Sequence, residues 1–181
     1  CFLDLHDGIS INQYRGSKHK ISFYGQFSKN IGTKNTVEKL FQKLDKENLL
    51  KNKKFKIRIN KKIPQKAGLG GGSMNAASIL NYLIKNKFIN VNHKNIRSIC
   101  DSIGSDVILG TISSSCILSS NGRIKKIYNI PKYYSILVKP NFGCSTKEIY
   151  SAVSRYTKPK YSKPKKHMFE DKYLINQQND L

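Results

Sequence analysis

The stretch that most constrains this chain is Ile63-Pro64-Gln65-Lys66-Ala67-Gly68-Leu69-Gly70-Gly71-Gly72-Ser73-Met74-Asn75-Ala76-Ala77. Before it, Phe55-Lys56-Ile57-Arg58-Ile59-Asn60 alternates apolar and polar residues, the period of a half-buried strand. After it, Ala77, Leu80, Leu83 and Ile84 recur at helical spacing, which predicts a helix over residues 73–85 with those four side chains inward. Pro64 pushes Ile63 toward extended backbone. The local order is therefore strand, proline turn, glycine loop, helix. Glycine permits backbone angles and close approaches that a side chain forbids. Successive free N–H groups in such a turn form an anion-sized hollow, and a helix start adds unpaired N–H groups and a positive dipole end. The loop reads as a phosphate cradle. It lacks the Gly-Lys-Ser/Thr ending of a P-loop, because Ser73 and Met74 follow Gly72. It also lacks the third glycine of the dinucleotide fingerprint, whose place is taken by Ser73. A flexible surface turn is the plain alternative.

The rest of the chain mixes strands and helices, the pattern of an α+β or mixed α/β domain. Ile9 and Ile11 alternate after the Asp7-Gly8 turn, and Ile21 and Phe23 mark a second strand. With Gly16-Ser17 between them, these two read as a hairpin. Val37, Leu40, Phe41 and Leu44 form one helical face, with Asn35 or Thr36 as cap. A further helix is expected over residues 93–102, capped by Asn92, with Ile96, Ile99, Cys100 and Ile103 apolar. Asp106 follows Gly104-Ser105. It reads either as a turn aspartate bonded to its own backbone or as a buried carboxylate able to take a proton. Residues 113–118 with Asn121-Gly122 suggest a strand and tight turn, and residues 134–140 another strand, stopped by Pro140. A helix is expected from Ser145 or Thr146, with Ile149, Tyr150 and Val153 inward, then a basic linker over 156–166 and a last short helix within 169–181.

The 181 residues carry 33 basic and 11 acidic side chains, a formal charge of +22. Such a balance raises nucleic acid first. The charge is mostly lysine, spread over nearly every segment, rather than arginine and aromatics gathered on one module. It equally suits an enzyme that draws in phosphorylated substrates. The cysteines Cys1, Cys100, Cys116 and Cys144 form no CxxC pair, which disfavours a structural zinc site and reads as reduced thiols of a cytoplasmic protein. No apolar run reaches membrane-spanning length.

The stretch from Pro64 to Ala77 resembles the phosphate-binding signature of the GHMP kinase superfamily, which includes galactokinase, homoserine kinase and mevalonate kinase. Gly70-Gly71-Gly72-Ser73 followed by Asn75-Ala76-Ala77 is similar to its 4-diphosphocytidyl-2-C-methyl-D-erythritol kinase branch. Four other stretches agree in order: Phe2-Leu3-Asp4 through Ile9, Gly104-Ser105-Asp106-Val107, Lys139-Pro140 with Ser145-Thr146 and Tyr150, and Asn179-Asp180-Leu181. The resemblance implies a two-lobed fold. Residues 1–130 would form an ATP-binding lobe like domain 2 of ribosomal protein S5, without its first strand. Residues 131–181 would begin an incomplete ferredoxin-like lobe. It implies transfer of the ATP γ-phosphate to the 2-hydroxyl of 4-diphosphocytidyl-2-C-methyl-D-erythritol in non-mevalonate isoprenoid synthesis, with Mg²⁺ accompanying ATP and no protein metal cage. Pro64, Ala67, Gly68, Leu69, Gly70, Gly71, Gly72, Ser73 and Asn75 would hold the nucleotide. Asp106 would orient the substrate hydroxyl and take its proton, and Tyr150 would pack against the cytosine.

The departures are specific. The family's Pro-Ala-Lys-Ile-Asn strand, its Gly-Tyr-His segment and its last glycine-rich motif have no counterpart here, an expectation of a fragmentary sequence. Met74 stands where the family has a second serine, and Ile108-Leu109-Gly110 where it has proline and an aromatic residue. Three alternatives remain: another small-molecule kinase of the superfamily acting on homoserine or mevalonate, a basic nucleic-acid-binding module, and a degenerate fragment without activity. A monomer and a homodimer are both compatible with the sequence, membrane association is not expected, and nucleic acid is disfavoured as a partner.

Overall fold

The computed structural model describes residues 3–119, 122–128, 132–143, 146–158 and 165–176. Its most deeply buried strand is β3, Lys54–Asn60, where Phe55, Ile57 and Ile59 are wholly buried. Two half-buried strands flank it: β1, Gly8–Tyr14, and β2, Lys20–Tyr24. The order is β1-β3-β2. β1 runs antiparallel to β3 from Gly8↔Asn60 to Tyr14↔Lys54, and β2 runs parallel to it from Lys20↔Lys56 to Tyr24↔Asn60. The hairpin expected of β1 and β2 is therefore corrected. The strand that buries most apolar surface takes the centre, and the two weaker strands pair with it instead of with each other.

Helices α1 (Thr36–Lys46), α2 (Gly71–Lys85) and α3 (His93–Ile103) supply the rest of this core. Asn35 caps α1, its side-chain oxygen accepting from the N–H of Val37 at 3.1 Å and of Glu38 at 3.0 Å. Asn92 caps α3 by accepting from the Asn95 N–H at 2.9 Å. Leu40, Leu44, Ile79, Leu80, Leu83 and Ile99 are fully buried, whereas Ile84 is only half-buried. α2 begins at Gly71, two residues before the expected start, so two of the loop glycines belong to its first turn. Asp106 is exposed and precedes a 3-10 turn, Val107–Thr111.

The chain divides into two compact units, residues 1–65 with 69–113 and residues 66–68 with 114–181. In the second, β4 (Cys116–Leu118) pairs antiparallel with β5 (Ile124–Lys126), and Gly143 lies against Lys66. The helix α4 (Thr146–Ala152) leaves Ile149 and Tyr150 exposed rather than inward. The strand expected over 134–140 is absent. A strand needs a ladder partner, and Tyr134, Ile136 and Val138 stand 108%, 92% and 88% exposed without one among the described residues. The tail holds a 3-10 turn, Lys166–Phe169, and a short helix α5, Asp171–Leu174. Cys1, Phe2, Asn121, Ile130, Cys144, Ser145 and the Asn179-Asp180-Leu181 motif lie outside the described residues. No helix among the described residues is long and apolar enough to cross a membrane.

One polar group is built into the seam between α1 and the sheet. The His19 ring sits 4.4 Å from the Phe41 ring and 6.1 Å from that of Phe55. Its Nδ1 accepts from the Phe55 N–H at 3.1 Å, so Nε2 carries the proton and donates to Asp45, which also pairs with Lys54. Burial lowers the imidazole below its ordinary 6.5, Asp45 opposes this, and Lys54 adds to it. The fold thus prefers the neutral ring. His19 stabilisation is complete above about pH 6.5 and is lost as pH falls through the lowered folded value. The melting temperature should drop on acidification from pH 7 to 5.5, and His19→Gln should flatten that dependence.

Candidate functional site

The glycine loop is pinned by a residue far from it in sequence. Asp7 immediately precedes β1, and the antiparallel register that pairs Gly8 with Asn60 carries Asp7 opposite Lys61. The Lys61 ammonium bonds Asp7 Oδ2, with the Asp7 side chain 0% and the Lys61 side chain 6% exposed. Asp7 Oδ1 accepts from the backbone N–H of Lys62 and of Ile63, each at 2.8 Å. Asn75 Nδ2, on α2, donates to Asp7 Oδ2 at 2.8 Å. Burial by itself would raise this carboxyl. The bonds from Lys61, Ile63, Asn75 and Lys62 outweigh it and hold Asp7 below its ordinary 3.8. Sequence reasoning took Asp7-Gly8 for a turn signal and assigned nothing to Lys61. The strand register was the signal that would have paired them.

Between these pins, Lys66, Gly68 and Gly70 take positive φ of 51°, 67° and 63°. A Cβ at Gly68 or Gly70 would meet no atom of the described residues within 4 Å, so among these residues space lies open beside both. Gly71 and Gly72 serve differently. A Cβ on Gly71 would come 3.0 Å from Ile63 Cγ2, and one on Gly72 3.0 Å from Thr36 Oγ1. These two let α2 start close against β3's exit and against α1. Thr36 fastens that contact by donating to the Gly72 carbonyl at 2.7 Å. Gln65 holds the preceding loop, its amide donating to the carbonyls of Phe27 at 2.8 Å and Lys29 at 2.7 Å.

Helix geometry leaves the N–H groups of Gly71, Gly72 and Ser73 without intrahelical acceptors. No side chain caps them, and no acidic residue lies in this first turn. An uncapped helix start with open space at its N-cap is able to take an anion.

The turn that carries Asp106 packs onto the same helix. Gly104 lies beside Ser73, since a Cβ there would sit 3.9 Å from Ser73 Oγ. A Cβ at Gly110 would meet Ala77 Cβ at 2.6 Å and Met74 Sδ at 3.0 Å, and Asn81 Nδ2 donates to the Gly110 carbonyl at 3.1 Å. Two sequence departures thus explain each other. Met74 occupies more room than a serine, and Gly110 leaves that room. Asp106 itself is exposed, with Ser105 Oγ donating to Oδ1 at 3.3 Å and its carbonyl accepting from Leu109 N–H at 3.1 Å.

Pro64, Leu69, Gly70, Gly71, Gly72, Ser73, Asn75 and Asp106 all belong to the first unit, and within it α2 packs against the turn that follows Asp106, with Ser73 beside Gly104. Asn75 is 5% exposed, with its Nδ2 donating to Asp7. Ala67 and Gly68 group with the second unit, as does Tyr150, which is 52% exposed on α4. No group of three or more metal-ligating side chains occurs among the described residues.

The sequence pattern of the GHMP kinases N terminal domain matches residues 33–117. The 4-diphosphocytidyl-2-C-methyl-D-erythritol kinase of Pelagibacter ubique is 54% identical over 99% of this chain and 64% of its own length. That of Leptospira biflexa is 32% identical over 90% of this chain and 52% of its own. A crystal structure of 4-(cytidine 5'-diphospho)-2C-methyl-D-erythritol kinase superposes with a TM-score of 0.56 at 22% identity, over 81% of this chain and 51% of that one. Homoserine kinase from Cytophaga hutchinsonii superposes with a TM-score of 0.59 at 17% identity, over 84% and 52%. The chain spans from about half to just under two thirds of the length of these relatives.

The packing of the Asp106 turn on α2 is open to a paired test. Gly110→Ala should cost about 1–3 kcal/mol, because the Ala77 contact forces the turn away. Gly104→Ala, whose Cβ would meet nothing nearer than 3.8 Å at an extended φ of 171°, should stay within about 0.5 kcal/mol of the parent in urea unfolding.

Proposed function

We propose that the chain is a GHMP kinase that transfers the γ-phosphate of ATP to the 2-hydroxyl of 4-diphosphocytidyl-2-C-methyl-D-erythritol, a reading supported by its identity to the Pelagibacter ubique kinase and by the domain pattern over residues 33–117. The observation that carries the reading is the uncapped start of α2, with open space at Gly70 and the Asp106 turn packed against its first turns. The N–H groups of Gly71, Gly72 and Ser73 would hold the phosphates, and the Ser73 hydroxyl would add a donor. Pro64, Ala67, Gly68 and Leu69 would shape the approach. Asp106 would orient the acceptor hydroxyl and take its proton, a role its exposure permits. Phosphoryl transfer asks for little else from protein, because alignment and charge stabilisation supply most of the rate.

The residues fit an anionic ligand such as ATP, since the N–H donors of the first turn have no side-chain cap and no competing carboxylate in that turn. When bound, Mg²⁺ supplies charge neutralisation at the phosphates. It would ride on phosphate oxygens and water rather than in a protein cage, as that ion commonly does.

In this reading residues 1–130 form the lobe like domain 2 of ribosomal protein S5, and residues 131–181 begin a ferredoxin-like lobe. Tyr150 would stack on the cytosine. The 54% identity to the Pelagibacter ubique kinase favours the cytidylyl substrate over homoserine, whose kinase shares 17% identity and thus the fold alone.

Phosphorylation assays with this substrate, mevalonate and homoserine test the choice. Transfer to the cytidylyl substrate alone is expected, and Asp106→Asn should lower its rate by about 10²–10⁴-fold with little change in ATP affinity. Transfer to homoserine instead, or an Asp106→Asn variant at parental rate, would sink the assignment.

A further inference from the structure

We propose that Asp7 and Asn75 are positioning residues that set the shape of the phosphate seat, an inference that rests on the nucleotide reading above. The two ends of the glycine loop are tied to one carboxylate. At the entrance, Asp7 Oδ1 takes the N–H groups of Lys62 and Ile63; at the exit, Oδ2 takes the Asn75 amide. Residues 64–74 therefore form a loop closed at its base by a single buried side chain.

Gln65 and the Gly72 carbonyl have ties of their own, to Phe27, Lys29 and Thr36, and this closure places the ends of the stretch between them. Its residues at positive φ are Lys66, Gly68 and Gly70, and among the described residues there is only open space beside both glycines. An anion site built from backbone N–H groups works by having those groups aimed before the ligand arrives. The tie at the base supplies that aim. Lys61 completes it by balancing the carboxylate, so the tie is neutral and cannot itself draw the phosphate.

Asn75 accordingly serves the nucleotide through Asp7 and not by touching it. A direct ligand would need a side chain open to the nucleotide, and Asn75 is 5% exposed with an Nδ2 donor turned to Asp7 at 2.8 Å. The pairing also explains why the carboxylate is worth burying. An ion pair removed from water is a poor source of stability compared with apolar packing, and its recognised use is to fix one arrangement over others.

The test compares Asn75→Ala with the double swap Asp7→Asn/Asn75→Asp, which keeps one carboxylate, one amide and the bond between them. Two readouts are taken on each folded protein: ATP affinity by titration, and backbone order parameters of Gly70, Gly71 and Gly72 without nucleotide. In Asn75→Ala, ATP binding should weaken about tenfold or more, as misplaced site geometry commonly does. The glycine order parameters should fall from about 0.85 to below about 0.6 while those of β3 hold. The swap should recover both. Unchanged affinity and unchanged order in folded Asn75→Ala would overturn the proposal, as would a folded swap that recovers neither. Failure of both variants to fold would assign the pair to stability alone, also against the proposal. A parent that ignores ATP would sink the nucleotide reading, while the nucleotide-free order parameters still judge the positioning role.

Discussion

The structure of the first unit depends on one buried carboxylate. Asp7 joins the start of β1, the end of β3 and the first turns of α2 in a single hydrogen-bonded cluster. Each member would be costly alone. A buried carboxylate without partners, or a buried ammonium without one, loses several kcal/mol of hydration. Together they satisfy each other, and the cluster also absorbs two backbone N–H groups that the departing strand would otherwise leave unpaired. Its geometric content exceeds its energetic content. A hydrophobic replacement could pack as well, but it would not choose where residues 62, 63 and 75 sit relative to one another.

With the base of the loop fixed, its glycines divide into two physical classes. Gly68 and Gly70 are needed for their dihedral angles, and space beside them is unfilled among the described residues. Gly71 and Gly72 have ordinary helical backbone and are needed for contact, because Ile63 and Thr36 already occupy the place of a side chain. Gly110, outside the loop, belongs with the second class and meets the one loop-proximal residue that departs from the family pattern, Met74. The seat is thus built by removing side chains where backbone must turn or touch, and by leaving the N–H groups between them uncommitted.

The sequence disclosed what repeats locally and concealed what is joined across distance. The alternation in Phe55–Asn60 and the helical spacing around Leu40 and Leu80 came through because each reports burial by its own neighbours. The glycine run announced a tight backbone turn into a helix because few other needs cluster glycine so tightly. The hairpin of β1 and β2 was misread because proximity in sequence favoured it, while the stronger burial of Phe55, Ile57 and Ile59 drew both strands to β3. The apolar alternation at 134–140 had the right period without a neighbouring strand to answer it among the described residues. Asp7 and Lys61 were invisible for the same reason in reverse. Their pairing follows from register, and register is a property of two segments.

The chain's charge bears on the site through this cluster. With a formal charge of +22, the protein would draw anions toward its surface from any direction. Lys20, Lys56 and Arg58 stand exposed on the face of the sheet opposite its buried isoleucines, and Lys62 and Lys66 are exposed at the loop itself. Lys61, the cation most deeply set beside the loop, is neutralised by Asp7. Beside the exposed Lys62 and Lys66, the start of α2 adds the equivalent of roughly half a positive charge, focused along the helix axis. In the proposed reading, long-range attraction and local recognition would be supplied by different parts of the molecule. The diffuse lysine field would bring phosphates near, and salt would weaken it. The choice of which anion stays would rest with N–H groups whose directions are set by a neutral, buried pair.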